Sequence, residues 1–224
     1  QYKQKPAPIL LKVPEGQAVV FDDHVRGRVE VKTDTIRDPA LLRAPGPDGR
    51  LFATEGGMEE RGSRPVGGAP DNLWEIQSGG YYGWPDHASG IPVTEPRFRL
   101  PGHPQPRRLL ADDLRPAGAP RAMFAPRSGV GRFDFSHSAQ FGFVGEALVA
   151  LSGEWSAAAY AGEDAAPSGY RVVRVDPATG ETSDFLVNRQ GAPHSIGGGG
   201  GLERPFDVRF DPTGELDNGE FSKD

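Results

Sequence analysis

The residues best suited to chemistry lie between Leu51 and Pro85. This stretch places one carboxylate beside two glycines, in Glu55-Gly56-Gly57, and closes on the glycine- and aromatic-rich turn Gly79–Pro85. Glycine allows a tight turn and a close approach of the backbone to another group. Such a loop can direct carbonyl oxygens and one carboxylate at a hard cation, and these oxygens are the ligands that Ca²⁺ takes. A well-packed loop between strands uses the same residue types, so both interpretations stay open.

Histidine, serine and cysteine chemistry has weaker support. The five histidines show neither H-x-x-x-H nor H-E-x-x-H spacing, which disfavours zinc. His87, His103 and His194 lie in loops rich in proline and glycine, and we expect them to be solvated. His24 follows two aspartates near the N-terminus, and His137 is considered for a position inside a central channel. The chain has no cysteine and no G-x-S-x-G nucleophile elbow.

Composition favours a folded chain built mostly from strands. The 224 residues include 31 glycines and 22 prolines, but also 12 phenylalanines and recurring short apolar runs, which together indicate many turns between short strands. A net charge of −6 without a run of basic residues argues against a general nucleic-acid surface. The first six residues lack the apolar region of a signal peptide, which indicates a processed chain, a mature piece or a fragment.

The elements that position these residues differ between the two ends of the chain. Residues 1–35 contain three strand candidates, Ile9–Val13, Ala18–Phe21 and Arg28–Thr33, which predict either a small β meander or an arm that pairs with a partner. Further along, the strand candidates are Leu51–Ala53, Asp71–Ile76, Gly145–Leu151 paired with Tyr170–Asp176, and Ser183–Val187. The segment Pro92–Pro120 reads as a long surface connection.

From residue 36 the chain repeats a pattern. Pro39 and Pro205 each open a strand that leads into a P-x-G-x-L turn, and they are 166 positions apart. This separation is about four units of the ~40–45 residues that form one propeller blade. Radial β-sheets are therefore the favoured architecture, with a β-sandwich as the structural competitor.

The motifs that recur in this region resemble those of one family. They are Arg37-Asp38-Pro39, Pro47-Asp48-Gly49-Arg50-Leu51, Thr54-Glu55-Gly56-Gly57, Ala69–Ile76, Tyr82-Gly83-Trp84-Pro85, Gly169–Val175 and Gly201–Val208. Residues from about 36 to 216 resemble the C-terminal half of the soluble glucose/sorbosone dehydrogenases, six-bladed β-propellers that oxidise sugars with pyrroloquinoline quinone (PQQ) and Ca²⁺. The resemblance implies an all-β, incomplete propeller of about three to four four-stranded blades over residues 36–224, an extra β segment over 1–35, and a periplasmic or extracellular location.

The resemblance also implies site residues. Arg37, Asp38 and Arg204 match positions that contact the quinone cofactor, and a guanidinium suits the carboxylates of PQQ through bidentate pairing. The glycine turn after the family's glutamate supplies backbone oxygens to calcium, near the next acidic residue. The corresponding candidates for a metal are Gly57, Met58 and Asp71.

Several family positions have changed. The tryptophan that stacks on the quinone is absent near Arg121–Phe124, and a lysine is absent after the strand Gly145–Leu151. The family's general base is a histidine about half a propeller upstream of Arg37, whereas only 36 residues precede Arg37 here. Oxidation of a sugar C1 hydroxyl requires such a positioned base, so we assign no catalytic residue.

Two hypotheses follow. The first is a non-catalytic binding or scaffold subunit whose open sheet edges are covered by a partner chain or a second copy, with residues 1–35 as the docking arm. The second is a PQQ- and Ca²⁺-dependent aldose or sorbosone dehydrogenase, or a fragment of one, whose missing blades are supplied elsewhere. The changes at several cofactor positions favour the first hypothesis.

Overall fold

The computed structural model describes residues 9–10, 15–23, 27–33, 40–42, 46, 48–58, 60–110, 117–154, 168–189, 193–197 and 201–220. Contacts divide the chain into two units, Gln1–Pro45 and Gly46–Asp224. The boundary that the sequence predicts, between residues 35 and 36, lies outside the described residues, as do Arg37 and Asp38. The described residues contain no helix long and apolar enough to cross a membrane.

In the part of the first unit that the structure describes, the strands form two small antiparallel pairs. Strand β1 (Ile9–Leu10) pairs with β4 (Ala40–Leu42), and β2 (Ala18–Asp23) pairs with β3 (Gly27–Lys32) along its whole length. At the end of the β2–β3 hairpin away from its turn, the Thr33 hydroxyl donates to the Gln17 carbonyl at 3.0 Å and joins the two strands. Two of the three predicted N-terminal strands therefore form a hairpin, which is compatible with either a small meander or an arm.

Among its described residues, the second unit contains three larger antiparallel sheets and one short hairpin. The first sheet has the order β5-β6-β9, the second β10-β11-β12-β13, the third β14-β15, and the short hairpin is β7-β8. The bounds are β5 Leu51–Glu55, β6 Pro70–Ile76, β7 His87–Ala88, β8 Ile91–Pro92, β9 Ala122–Pro126, β10 Val130–Phe135, β11 Ala147–Leu151, β12 Arg171–Val175, β13 Thr182–Val187, β14 Pro205–Phe210 and β15 Leu216–Glu220. A one-turn helix, α1, spans His194–Gly197.

The three sheets follow one another side by side through their first strands. Thr54 Oγ1 on β5 donates to the Gly131 carbonyl on β10 at 2.9 Å. The Phe210 amide on β14 donates to Asp134 Oδ2 on β10 at 2.9 Å. Small antiparallel sheets whose first strands are neighbours are the arrangement expected of consecutive blades. The all-β class is confirmed, while the predicted count of three to four blades stays a prediction.

The second sheet is the centre of the hydrophobic core because it is buried on both faces. On β11, Ala147, Val149 and Leu151 pack toward the first sheet, while Leu148 and Ala150 pack toward the third. All five residues are buried, which explains why the sequence of β11 is an uninterrupted apolar run rather than an alternating one.

A smaller core includes two side chains of the predicted surface connection Pro92–Pro120. Val93 and Phe98 are fully buried there and pack with Val66, Ala69 and Ala88. The sequence of this segment does not alternate between apolar and polar residues, because isolated apolar side chains in turns, rather than strands, hold the segment in place. Most of the described residues of this segment are exposed, as the predicted surface connection requires, and Val93 and Phe98 attach it to the second unit.

Candidate ligand-binding cavity

The topology of the second unit collects several loops at one end of its sheets. Because neighbouring strands are antiparallel, the ends of β5 and β11 meet the starts of β6 and β12. The connections between sheets, from β9 to β10 and from β13 to β14, lie at this same end. The loops at this end form a cavity of about 300 Å³, at the small end of the range for small-molecule sites. It is lined by Gly56, Gly57, Met58, Glu60, Arg61, Ala69, Asp71, Pro126, Arg127, Gly129, Val130, Gly153 and Glu154.

Asp71 is the buried anchor of this cavity. Its side chain belongs to β6 and the residue is 3% exposed. Asp71 Oδ1 accepts the Gly57 amide at 2.7 Å, and Oδ2 accepts the Ser128 hydroxyl at 2.9 Å and the Val130 amide at 3.1 Å. Three donors offset much of the cost of burying a carboxylate. Asp71 thus ties the loop after β5 to the β9–β10 turn.

Arg127 provides positive charge at the cavity between two carboxylates. Its Nη1 donates to Glu60 Oε2 at 3.0 Å, and its Nε lies 3.7 Å from Glu154 Oε1. Glu60 also accepts the Gly68 amide at 2.8 Å through its other oxygen. The backbone of Arg127 has φ +61°, a conformation that costs energy for a residue with a side chain. The β9–β10 turn is therefore held in an unfavourable backbone conformation while Arg127 joins Glu60 and Glu154.

Close backbone packing shapes the floor of the cavity. Gly57 lies so near the carbonyls of Ala69 and Pro70 that an added Cβ would be 2.3 Å from the first. Gly153, at φ +78°, lies against the Tyr170 ring, which an added Cβ would meet at 2.3 Å. Both positions require glycine, and at Gly153 the requirement is steric as well as conformational.

Arg204, which is predicted to contact the cofactor, directly precedes β14. It is 7% exposed, its Nη1 donates to the Glu154 carbonyl at 2.8 Å, and its guanidinium lies 5.2 Å from the centre of the Tyr170 ring. It is not among the residues that line the cavity. Beside it, burial raises the pKa of the Glu203 carboxyl, but hydrogen bonds from the Ser195 hydroxyl and amide outweigh burial and lower it overall.

The described residues do not form a fitted site for Ca²⁺ or PQQ. Calcium takes six to eight oxygen ligands, whereas Asp71 is already bonded to three donors, and the described part of the chain holds no cluster of three or more metal-binding side chains. PQQ presents carboxylates, but Arg204 directs Nη1 at carbonyl oxygens. Arg37 and Asp38 lie outside the described residues. The assignments of all these residues stay predictions.

The structure brings together the three predicted metal residues, since Gly57, Met58 and Asp71 all line the cavity. Sequence reasoning missed Arg127, Glu60 and Glu154. The available signal for Arg127 was its place before Ser128-Gly129, a turn pattern between two apolar runs. Among the described residues, no histidine lines the cavity.

The chain was compared with known proteins at the levels of family, sequence and structure. No family model and no curated protein sequence matches it. The PQQ domain of pyranose dehydrogenase from Coprinopsis cinerea, in its holo form, is similar at 20% identity and a TM-score of 0.47, over 79% of this chain and 50% of that one. A calcium structure of a Trichoderma reesei protein of Carbohydrate-Active Enzymes family AA12 is similar at 15% identity and a TM-score of 0.45, over 86% and 56%. The chain thus spans about half the length of these structures, and a likeness of this degree defines neither family nor activity.

Proposed function

We propose that this chain is a non-catalytic binding or scaffold subunit, built on a partial propeller of the PQQ-dependent sugar dehydrogenase type. It completes its fold with partner chains in a larger assembly outside the cytoplasm, in the periplasm or the extracellular space. The motifs over residues 36–216 support the fold type. The changes at the family's cofactor positions support the loss of turnover.

The observation that carries the proposal is that the charges at the cavity face one another in ion pairs, although Arg127 Nε and Glu154 Oε1 make no hydrogen bond. Asp71 is bonded to three donors, and Arg127 lies between Glu60 and Glu154. A general base must reach the proton that it removes, and no histidine lines the cavity among the described residues. Such a site has the means to hold loops together or to bind a small polar molecule. It offers no base of the type that the family uses.

The alternative is a PQQ- and Ca²⁺-dependent aldose or sorbosone dehydrogenase, or part of one. One observation favours it: the three residues that the family resemblance assigns to calcium lie together at one cavity. In that case Arg37 and Asp38 would supply cofactor contacts, and further blades would supply the base.

The test is a titration of the purified chain with PQQ and Ca²⁺, followed by dye reduction with a panel of aldoses. We expect no turnover, with an authentic PQQ-dependent sugar dehydrogenase reducing the dye under the same conditions. Turnover that requires both PQQ and the chain would overturn the non-catalytic proposal. Loss of that turnover in Arg204→Ala would then support the dehydrogenase.

A further inference from the structure

The loops between β8 and β9 carry a positive charge on an acidic chain. Residues 93–110 contain four arginines and one glutamate, a net charge of +3, whereas the whole chain has a net charge of −6. Continuing to residue 116 adds two aspartates and one arginine, which leaves a net charge of +2. The four arginines are all exposed, and they are Arg97, Arg99, Arg107 and Arg108. A local charge of this sign attracts an anionic partner.

The contacts of the arginines leave this positive charge in place. Arg99 Nε donates to the His103 carbonyl at 3.0 Å, and a carbonyl oxygen binds a guanidinium without cancelling its charge. The carboxylate at this site is Asp86, whose side chain is fully buried. It pairs with Arg64 at 3.1 Å and lies 4.0 Å from Arg108 Nε, so that one negative charge faces two positive ones.

Exposed apolar side chains are fixed beside the arginines by the same carboxylate. Asp86 accepts the amides of Leu109 and Leu110 at 2.8 Å each, yet these residues are 63% and 38% exposed. The Asp86 amide donates to the Gly83 carbonyl at 2.9 Å and closes a turn that contains Trp84, which is 73% exposed. One buried side chain thus joins the two backbone segments that carry an exposed tryptophan and two exposed leucines.

The loops that carry these side chains are held by hydrogen bonds within the chain. Gln105 Nε2 donates to the carbonyls of Val93 and Glu95 at 3.1 and 2.8 Å. Phe98 is buried, and its carbonyl accepts the Gly67 amide at 2.8 Å. Because the backbone is already ordered, binding through these loops costs little further conformational entropy. None of these residues lines the cavity.

We propose that this surface binds the face of a membrane that contains anionic phospholipids. The surface consists of Trp84, Leu109 and Leu110 together with Arg97, Arg99 and Arg107. The arginines contact lipid phosphates, the leucines enter the boundary of the acyl chains, and the tryptophan lies at the level of the headgroups. The leucines and the tryptophan favour a lipid over an acidic polymer, which the charges alone would bind. This inference goes beyond the proposed function, because a scaffold and a dehydrogenase could both lie on a membrane in this way.

The test sediments the full chain with vesicles of phosphatidylcholine, alone or with about one third phosphatidylglycerol. We expect binding to the anionic vesicles that weakens as salt is added, and about tenfold weaker binding to the neutral ones. Leu109→Asp and Arg107→Glu should each weaken binding about tenfold. The matched controls make the same changes of charge in loops of the second sheet. They are Val144→Asp, at a residue that is 59% exposed, and Arg189→Glu, also at an exposed residue, and each should change binding less than about twofold.

A second measurement separates insertion from adsorption by charge. The chain has no cysteine, so Leu109→Cys and Val144→Cys each accept one environment-sensitive fluorophore. On anionic vesicles the fluorescence should rise, and nitroxide-labelled lipid should quench it, at position 109 but not at position 144.

Three results would overturn the inference. They are an absence of binding to anionic vesicles at low salt, an equal loss in the control variants, and equally tight binding to polyglutamate that Leu109→Asp leaves unchanged. The last result would identify an acidic polymer as the partner instead. Dye reduction has a separate readout, because turnover refutes the non-catalytic role and leaves the vesicle result as it stands.

Discussion

Among single residues, Asp71 shows that the same sequence pattern fits both a cation ligand and a buried acceptor of hydrogen bonds from loops. Asp71 follows a glycine turn, and the resemblance assigns it to a cation. In the structure its two oxygens are occupied by the amides of Gly57 and Val130 and by the Ser128 hydroxyl. The donors come from turns that are distant in sequence from β6, so the local pattern around Asp71 could not reveal them.

Replacement of Asp71 should cost stability rather than metal affinity. Asp71→Ala leaves two partly buried amides and one buried hydroxyl without their acceptor, and we expect the free energy of unfolding to fall by about 3 kcal/mol in urea titrations. Asp184→Ala is the control, because its ion pair with Arg171 is exposed and should be worth less than about 1 kcal/mol. Ca²⁺ and EDTA should leave the wild-type midpoint unchanged. A calcium-dependent midpoint that disappears in Asp71→Ala would instead support the metal assignment.

Two glycines with nearly equal φ angles allow the cost of backbone strain to be measured separately from the cost of close packing. Gly153 (φ +78°) would place a Cβ 2.3 Å from the Tyr170 ring, while Gly102 (φ +77°) has nothing within 4 Å. Gly102→Ala should lower the free energy of unfolding by about 1 kcal/mol, the cost of a left-handed alanine. Gly153→Ala should cost about 1–3 kcal/mol more, because the ring must move. If thermal or urea unfolding gives the same loss of unfolding free energy for both variants, the Tyr170 ring moves aside without measurable cost.

At the scale of elements, a single buried carboxylate holds together loops that have little regular structure. Asp86 has a fully buried side chain that accepts the amides of Leu109 and Leu110 at 2.8 Å each and pairs with Arg64 at 3.1 Å. Arg64 also donates to the Arg107 carbonyl at 2.9 Å. Three loop segments are thus joined through one side chain.

This tie predicts a dependence of stability on pH. Burial raises the pKa of the Asp86 carboxyl, but the two amides and Arg64 outweigh it, so the pKa in the folded chain lies below the ordinary value. A lowered pKa stabilises the fold above the unfolded pKa of about 3.9, and that stabilisation is lost as the pH falls through the folded pKa. Asp86→Asn should therefore unfold more easily than the wild type at pH 7, with the difference shrinking toward pH 3. Asp176→Asn, at an exposed turn, should change the pH 7 midpoint less. A constant difference across pH would contradict this assignment.

The strands themselves were the most predictable elements. Alternation and turn residues placed β6, β12 and β13 to within one residue at each end. The five buried residues of β11 were recognisable because a strand covered on both faces needs no polar side. The cavity was less predictable, since Arg127, Glu60 and Glu154 meet across loops whose sequences contain no shared pattern.

At the scale of the whole molecule, the second unit is held by two apolar layers on either side of one sheet. Val149 lies in the layer between the first and second sheets, and Val208 lies in the layer between the second and third. Both are at most 1% exposed. A change in either layer should therefore be felt across all three sheets.

Cooperative unfolding of the three sheets can be tested with a substitution in the third sheet and a fluorescent reporter in the first. Val208→Ala in the third sheet should lower the free energy of unfolding by about 2 kcal/mol. The loss should be seen equally in far-ultraviolet circular dichroism and in the fluorescence of Trp74 in the first sheet. Trp84→Phe and Trp155→Phe make Trp74 the single reporter. Leu109→Ala, at an exposed loop residue, serves as the control and should change stability by less than about 0.5 kcal/mol. If Val208→Ala leaves the unfolding midpoint reported by Trp74 fluorescence unchanged, the sheets unfold separately.

Strand β11 is buried on both faces, and one of these faces can be covered only late in synthesis of the chain. A ribosome completes Leu151 more than fifty residues before it reaches Pro205, where the strand that covers Leu148 and Ala150 begins. During that interval the nascent chain exposes a five-residue strand that is wholly apolar and uncharged, and transiently exposed apolar strands are prone to self-association. Chaperone capture should therefore be strongest on nascent chains that end between these two positions.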